Sequence, residues 1–194
     1  MEMNAVFESR DAADRSWRVF PAGSNGEYGL PQEMSVVLRR GDGCRVQDVT
    51  GREFLDFTMG WGSVLLGHGH SGVTAAVFSQ APLGSNFAHV SEHSLELAEQ
   101  LVTISPACEQ VRFCASGTEA TMHCLRLARS FRRRAGILKF EGAYHGSHDV
   151  GTTSLFGREF RRFPEPEPLG GSMPAGERDA MRVAPFNDPE LAVD

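Results

Sequence analysis

Three short stretches near the start of the chain alternate apolar and polar residues: "MSVVLRR" (34–40), "CRVQDV" (44–49) and "EFLDF" (53–57). Alternation places successive side chains on opposite faces, the period of a half-buried strand. The "RGDG" and "TGRE" segments between them carry the glycine and aspartate that tight turns use. The pattern predicts a small antiparallel meander. "MGWGSVLLGHGHSG" (59–72) then follows neither the strand nor the helix period. Two helical patterns come next, "VTAAVFSQA" (73–81) and "SEHSLELAEQLVTIS" (91–105). In the second, Leu95, Ala98, Leu101 and Val102 share a face, and Ser91 stands where an N-cap belongs.

Beyond Pro106 the pattern becomes strand, helix, strand. "QVRFCA" (110–115) reads as a buried strand, Thr118 to Arg132 as a helix, and "GILKF" (136–140) as a second strand. Ala120, Cys124, Leu127, Ala128 and Phe131 recur at helical spacing and form the expected inward face. A unit of this size implies a right-handed parallel crossover, so the fold class is α/β. "REFRRFPEPEPLGGSMPAGERDA" (158–180) is rich in proline, glycine and charge and reads as a mobile surface loop. "MRVAPFNDPELAVD" adds a short strand and the start of a helix.

Composition narrows the function. The 194 residues are 41% apolar and 23% charged with a net charge of -6, as in a soluble globular protein. Arg132, Arg133 and Arg134 form the one basic cluster, and cations favour helix C-termini, so a nucleic-acid surface is not expected. No apolar run approaches the roughly 20 residues of a membrane span. The polar, acidic "MEMNAVFESRDAADRSW" does not resemble a secretion signal, so the expected location is the cytoplasm. Cys44, Cys108, Cys114 and Cys124 form no CxxC pair and read as buried or incidental thiols. His68 with His70, and His145 with His148, lack a third ligand of fixed spacing, so no metal site is assigned.

Two stretches carry candidate chemistry. "SGTE" has the form of a capping box, with Ser116 at the cap and Glu119 three residues on. On one reading these side chains only satisfy the helix start. On the other, Gly117 lets a phosphate approach free N–H groups at the positive end of the helix dipole. Neither a GxGxxG nor a GxxxxGK[ST] pattern is present there. "KFEGAYHGSHD" (139–149) follows a strand, and ligands of open α/β sheets collect beyond strand C-termini. Tyr144 and His145 thus either plug a loop or flank a planar phosphorylated cofactor.

"DVTGREFLDFTMGWGSVLLGHGH", "SGTEATMHCLRLAR", "KFEGAYHGSHD" and "FNDPELA" together resemble the class III, fold-type I aminotransferases that use pyridoxal 5′-phosphate (PLP). The likeness is greatest to the glutamate-1-semialdehyde 2,1-aminomutase group and runs from about Phe20 to the last residue, weakest over 158–180. It implies the N-terminal part of such a fold: a small antiparallel segment (1–70) and the beginning of the large PLP-binding α/β domain (71–194), with an incomplete, mainly parallel sheet. By position, Ser116, Gly117 and Thr118 would hold the cofactor phosphate, Tyr144 would stack on its ring and His145 would flank it. Trp61 matches a position that lines the substrate pocket, its alternative being core packing. Small-molecule amino donors and acceptors, and a homodimer or pairing with a complete homologue, are the implied partners. Gly26 and Gly29 stand about where the mutases carry a serine and an arginine, which favours amino transfer over isomerisation. The only lysine is Lys139, at a non-catalytic family position, so a Schiff-base lysine is absent. The chain alone is therefore expected to be the N-terminal half of an enzyme and catalytically inactive, the alternative being a non-catalytic PLP-binding or partner-subunit remnant.

Overall fold

A computed structural model describes residues 2–25, 31–156, 163–168 and 173–190. They form two compact units, Met1–Ser91 and Glu92–Asp194.

The first unit opens with α1 (Glu2–Val19), which the polar N-terminal sequence did not suggest. Its last turns are anchored where Trp17 donates to Ser35 Oγ at 2.8 Å, with Ala13 buried. The meander follows as expected: β1 (Leu38–Asp42), β2 (Arg45–Asp48) and β3 (Glu53–Leu55), antiparallel in sequential order. Its β2–β3 turn is organised by one buried carboxylate. Asp48 accepts from the backbone N–H of Thr50 and Arg52, each at 2.9 Å, from Thr50 Oγ1 at 2.6 Å and from Arg52 Nε at 2.7 Å. Burial raises the Asp48 pKa, but these donors outweigh it and hold the carboxyl at about 2, below its ordinary 3.8. After an irregular segment, α2 (Ser71–Gln80) begins two residues before the predicted start, its first turn capped by the His70 ring, which accepts from Val73 N–H at 3.4 Å.

The second unit opens with α3 (Glu92–Ile104), as its spacing predicts. Residues 110–115 form no strand. Apolar alternation favours an extended backbone, but a strand also needs a ladder partner, and none pairs with this segment among the described residues. Then come α4 (Gly117–Arg132), β4 (Ile137–Phe140), α5 (Asp149–Thr152), α6 (Ala175–Asp179) and β5 (Met181–Ala184). The parallel pair is β4 with β5, in register from Ile137 against Met181 to Phe140 against Ala184. The α/β class stands, with the parallel partner supplied from further along the chain than predicted.

Val150, Met173, Met181 and Val183 form the buried core of this unit, and Leu125, Ile137 and Phe163 pack against it. Of the predicted inward face of α4, Ala120 is half-buried, but Cys124, Leu127, Ala128 and Phe131 are exposed. Thr118, Thr121, Leu125 and Arg129 are half-buried, whereas Leu127 is 68% and Phe131 87% exposed. Within the predicted loop 158–180, residues 163–168 and 173–180 are tied to their surroundings. Pro164 O accepts from Val183 N–H at 3.0 Å, Glu167 N–H donates to Ser154 Oγ at 3.0 Å, and Met173 is buried beside α6. Residues 158–162 and 169–172 of that loop, and Gly26 and Gly29, lie outside the described residues. None of the four cysteines is buried; Cys44 and Cys124 are exposed. Among the described residues no helix is long and apolar enough to cross a membrane.

Candidate cofactor site

The site is built at the start of α4. Ser116 is its N-cap, in extended backbone, and its Oγ accepts from Glu119 N–H at 3.2 Å. Glu119 completes a variant of the capping box, its carboxylate accepting at 2.7 Å from Ala115 N–H rather than from the cap residue. This satisfies the third helical N–H and turns the carboxylate back along the incoming chain. The N–H groups of Gly117 and Thr118 remain at the positive helix end, and a Cβ added at Gly117 would meet nothing within 4 Å. Open space in front of free donors is what an anion requires.

The loop after β4 is fastened to this turn. It closes on itself where Gly142 N–H donates to Ser154 O at 2.8 Å and His145 N–H to Gly151 O at 3.2 Å. Ser147 N–H then donates to Thr118 Oγ1 at 3.0 Å. Thr121 Oγ1 lies 2.6 Å from His145 O, to which it donates, and 3.1 Å from His148 Nε2. His148 also caps α5, its Nδ1 accepting from Gly151 N–H at 3.1 Å. Since Thr118 Oγ1 accepts from Ser147, its own hydrogen stays available to donate elsewhere.

The contact is close because of Gly146. Its φ is +112°, and a Cβ there would stand 2.8 Å from Thr118 Cα. Tyr144 is 57% exposed, its hydroxyl tethered to Ser147 Oγ at 2.8 Å. His145 is pinned through its backbone while its side chain is exposed. The structure thus gathers Ser116, Gly117, Thr118, Tyr144 and His145 around one helix start. Trp61 lies in the other unit, 74% exposed, so it is not part of that unit's core. Thr121, Gly146 and Ser147 were missed by sequence reasoning. The usable signal was Thr121, one helical turn after Thr118 and on the same face.

Residues 29–159 match the family model for class III aminotransferases. The chain belongs to that family. It is 38% identical over 141 residues to the glutamate-1-semialdehyde 2,1-aminomutase of Thermoplasma volcanium, covering 73% of this chain and 34% of that one. To the same enzyme of Chloroflexus aurantiacus it is 41% identical over 159 residues, 76% of this chain and 35% of the relative. Among solved structures it resembles an ω-transaminase from Sphaerobacter thermophilus, with a TM-score of 0.86 and 34% identity over 94% of this chain and 42% of that one. A transaminase solved with PLP bound gives a TM-score of 0.85 and 32% identity over 96% and 43% of the two chains. The class III family chain described here therefore spans well under half the length of these relatives, and corresponds to the N-terminal portion of the fold-type I transaminase architecture.

Proposed function

We propose that this chain forms the phosphate cup and ring-facing loop of a PLP-dependent enzyme that transfers an amino group from a small amine or amino acid. One observation carries the reading: among the described residues the N–H groups of Gly117 and Thr118 are left without a partner at the start of α4, Gly117 faces open space, and the loop that carries Tyr144 is bonded to Thr118 Oγ1. The cofactor's phosphate would sit on those donors, and its ring would lie on Tyr144 with His145 at the edge. When bound, PLP supplies an electron sink for bond breaking at the substrate carbon that bears the amine. The protein's part here is to hold the phosphate, orient the ring and, through Trp61, contact the substrate.

The covalent anchor is the missing element. Lys139 is buried, and its ammonium donates to Thr153 O. Residues 1–194 by themselves are therefore expected to bind the cofactor without turning substrate over. Within this reading the working form is a cytoplasmic homodimer.

PLP titrated into the 194-residue chain is expected to raise its melting temperature, with inorganic phosphate competing. Borohydride treatment is expected to leave Lys139 unmodified. A melting temperature indifferent to PLP, together with no competition by phosphate, would sink the cup assignment.

A further inference from the structure

The glycine-rich segment after β3 is unlike an ordinary connection. Met59, Gly60, Trp61 and Gly62 have φ values of 46°, 60°, 57° and 81°, four consecutive residues in the left-handed region, two of them not glycine. Non-glycine residues persist there only when surrounding structure holds them, and such positions cluster where side chains are presented for function. The turn is held by its own backbone bonds, Gly62 N–H to Thr58 O at 3.1 Å and Val64 N–H to Met59 O at 3.0 Å, and by the two ends of its loop. Asp56 N–H donates to Cys44 O at 2.8 Å, and His68 exchanges both backbone hydrogen bonds with Gly43, at 2.8 and 2.9 Å. Both ends of residues 56–68 are thus fixed to the same β1–β2 turn, in the manner of an Ω-loop.

The side chains complete the closure. Asp56 Oδ1 accepts from Thr58 N–H at 2.8 Å and Met59 N–H at 3.0 Å, the two residues that lead into the left-handed run. Asp56 Oδ2 accepts from His68 Nε2 at 2.7 Å. The "GHG" motif follows from this fit. His68 lies so close over Gly41 that a Cβ there would stand 2.6 Å from its ring, and a Cβ at Gly67, whose φ is +88°, would stand 3.0 Å from Gly43 Cα.

We propose that Asp56 and His68 are a positioning pair: their bond closes the loop that holds Trp61 in its left-handed turn, and so sets how Trp61 meets the substrate. This rests on Trp61 being a substrate contact. Neither residue touches the reacting atoms.

With Trp17→Phe, Trp61 is the only tryptophan of the chain and reports on its own mobility. His68→Ala is expected to lower Trp61 fluorescence anisotropy and to speed amide exchange across 57–67 by about tenfold, while the strands between 38 and 55 exchange as before. His68→Gln, whose amide N–H can still donate to Asp56, restores most of the protection. Gly41→Ala, which displaces the His68 ring without deleting a hydrogen-bonding group, moves both readouts in the same direction as His68→Ala. Unchanged anisotropy and exchange in both His68→Ala and Gly41→Ala overturn the pairing, whatever Trp61 binds.

The substrate side is read separately with N-phosphopyridoxyl-alanine, the reduced conjugate of PLP and an amino acid. It is expected to quench Trp61 emission in the parent chain, with affinity weakened several-fold in His68→Ala while affinity for PLP alone is unchanged. A loop that loosens in a chain whose Trp61 emission ignores the conjugate overturns the substrate role of Trp61, and the specificity role of the pair with it, and leaves the phosphate cup intact.

Discussion

The loops that follow β3 and β4 both close on themselves, with opposite chemistry. Residues 56–68 are closed by a carboxylate and an imidazole, and the His68 N–H, with the Thr58 and Met59 amides, holds the Asp56 carboxyl below the usual carboxylate range. Residues 142–154 are closed by backbone groups, and the Thr118 and Thr121 hydroxyls of α4 fasten them through Ser147 N–H and His145 O. Under the proposed cofactor reading, the difference follows from what each loop would face. A carboxylate beside Gly117 and Thr118 would compete for their N–H groups and repel a phosphate, whereas a hydroxyl accepts one bond and still donates another. Glu119, in the first turn of α4, is turned back to Ala115.

The strongest way to break the neutral loop is Gly146→Val, which combines a clash at 2.8 Å with a positive φ. It is expected to cost about 3 kcal/mol in urea unfolding and to abolish the PLP-dependent thermal shift. Thr118→Asp sharpens the comparison instead. An aspartate there can still accept from Ser147 and favours the helix start, so melting should hold while PLP affinity falls about a hundredfold by titration.

On the charged side, Asp48→Ala is expected to cost about 2 kcal/mol by removing the four hydrogen bonds that its carboxylate accepts in the β2–β3 turn. Because the folded-state pKa is depressed, the stabilisation from Asp48 is complete above its ordinary 3.8 and is lost as pH falls through about 2. Urea midpoints measured from pH 5 to 2 should fall in the parent and flatten in Asp48→Asn. Ser116→Ala removes an exposed cap and is expected to cost about 1 kcal/mol. Leu127→Ala, on the outward face of α4, should stay within about 0.5 kcal/mol by the same unfolding assay.

What the sequence made legible was local. The meander showed in its alternation and turn residues, and the α4 start in Ser116 and Glu119, because each pattern is satisfied within a few residues. The failures needed partners distant in sequence. Residues 110–115 have strand-like alternation but no ladder, and β4 takes its partner from 181–184. The orientation of α4 was misread because apolar spacing named Leu127 and Phe131, while Thr118 and Thr121 bind a loop more than twenty residues away and Leu125 meets the core. α1 went unread because charged residues interrupt its apolar positions; its Asp11 and Arg15 lie one turn apart at 3.9 Å. The five residues proposed to hold the cofactor were named from motif order, and the structure bonds the loop that carries Tyr144 and His145 to Thr118 and Thr121. Gly146, which lets the loop reach Thr118, was one glycine among many.

The burial of Lys139 has a consequence for how the protein can be handled. As the chain's only lysine, it leaves the described surface with arginine as its sole long cationic side chain. Reagents that acylate side-chain amines should find no ready target while the fold is intact. Rapid labelling of Lys139 would then serve as a chemical clock for opening of the β4–β5 core.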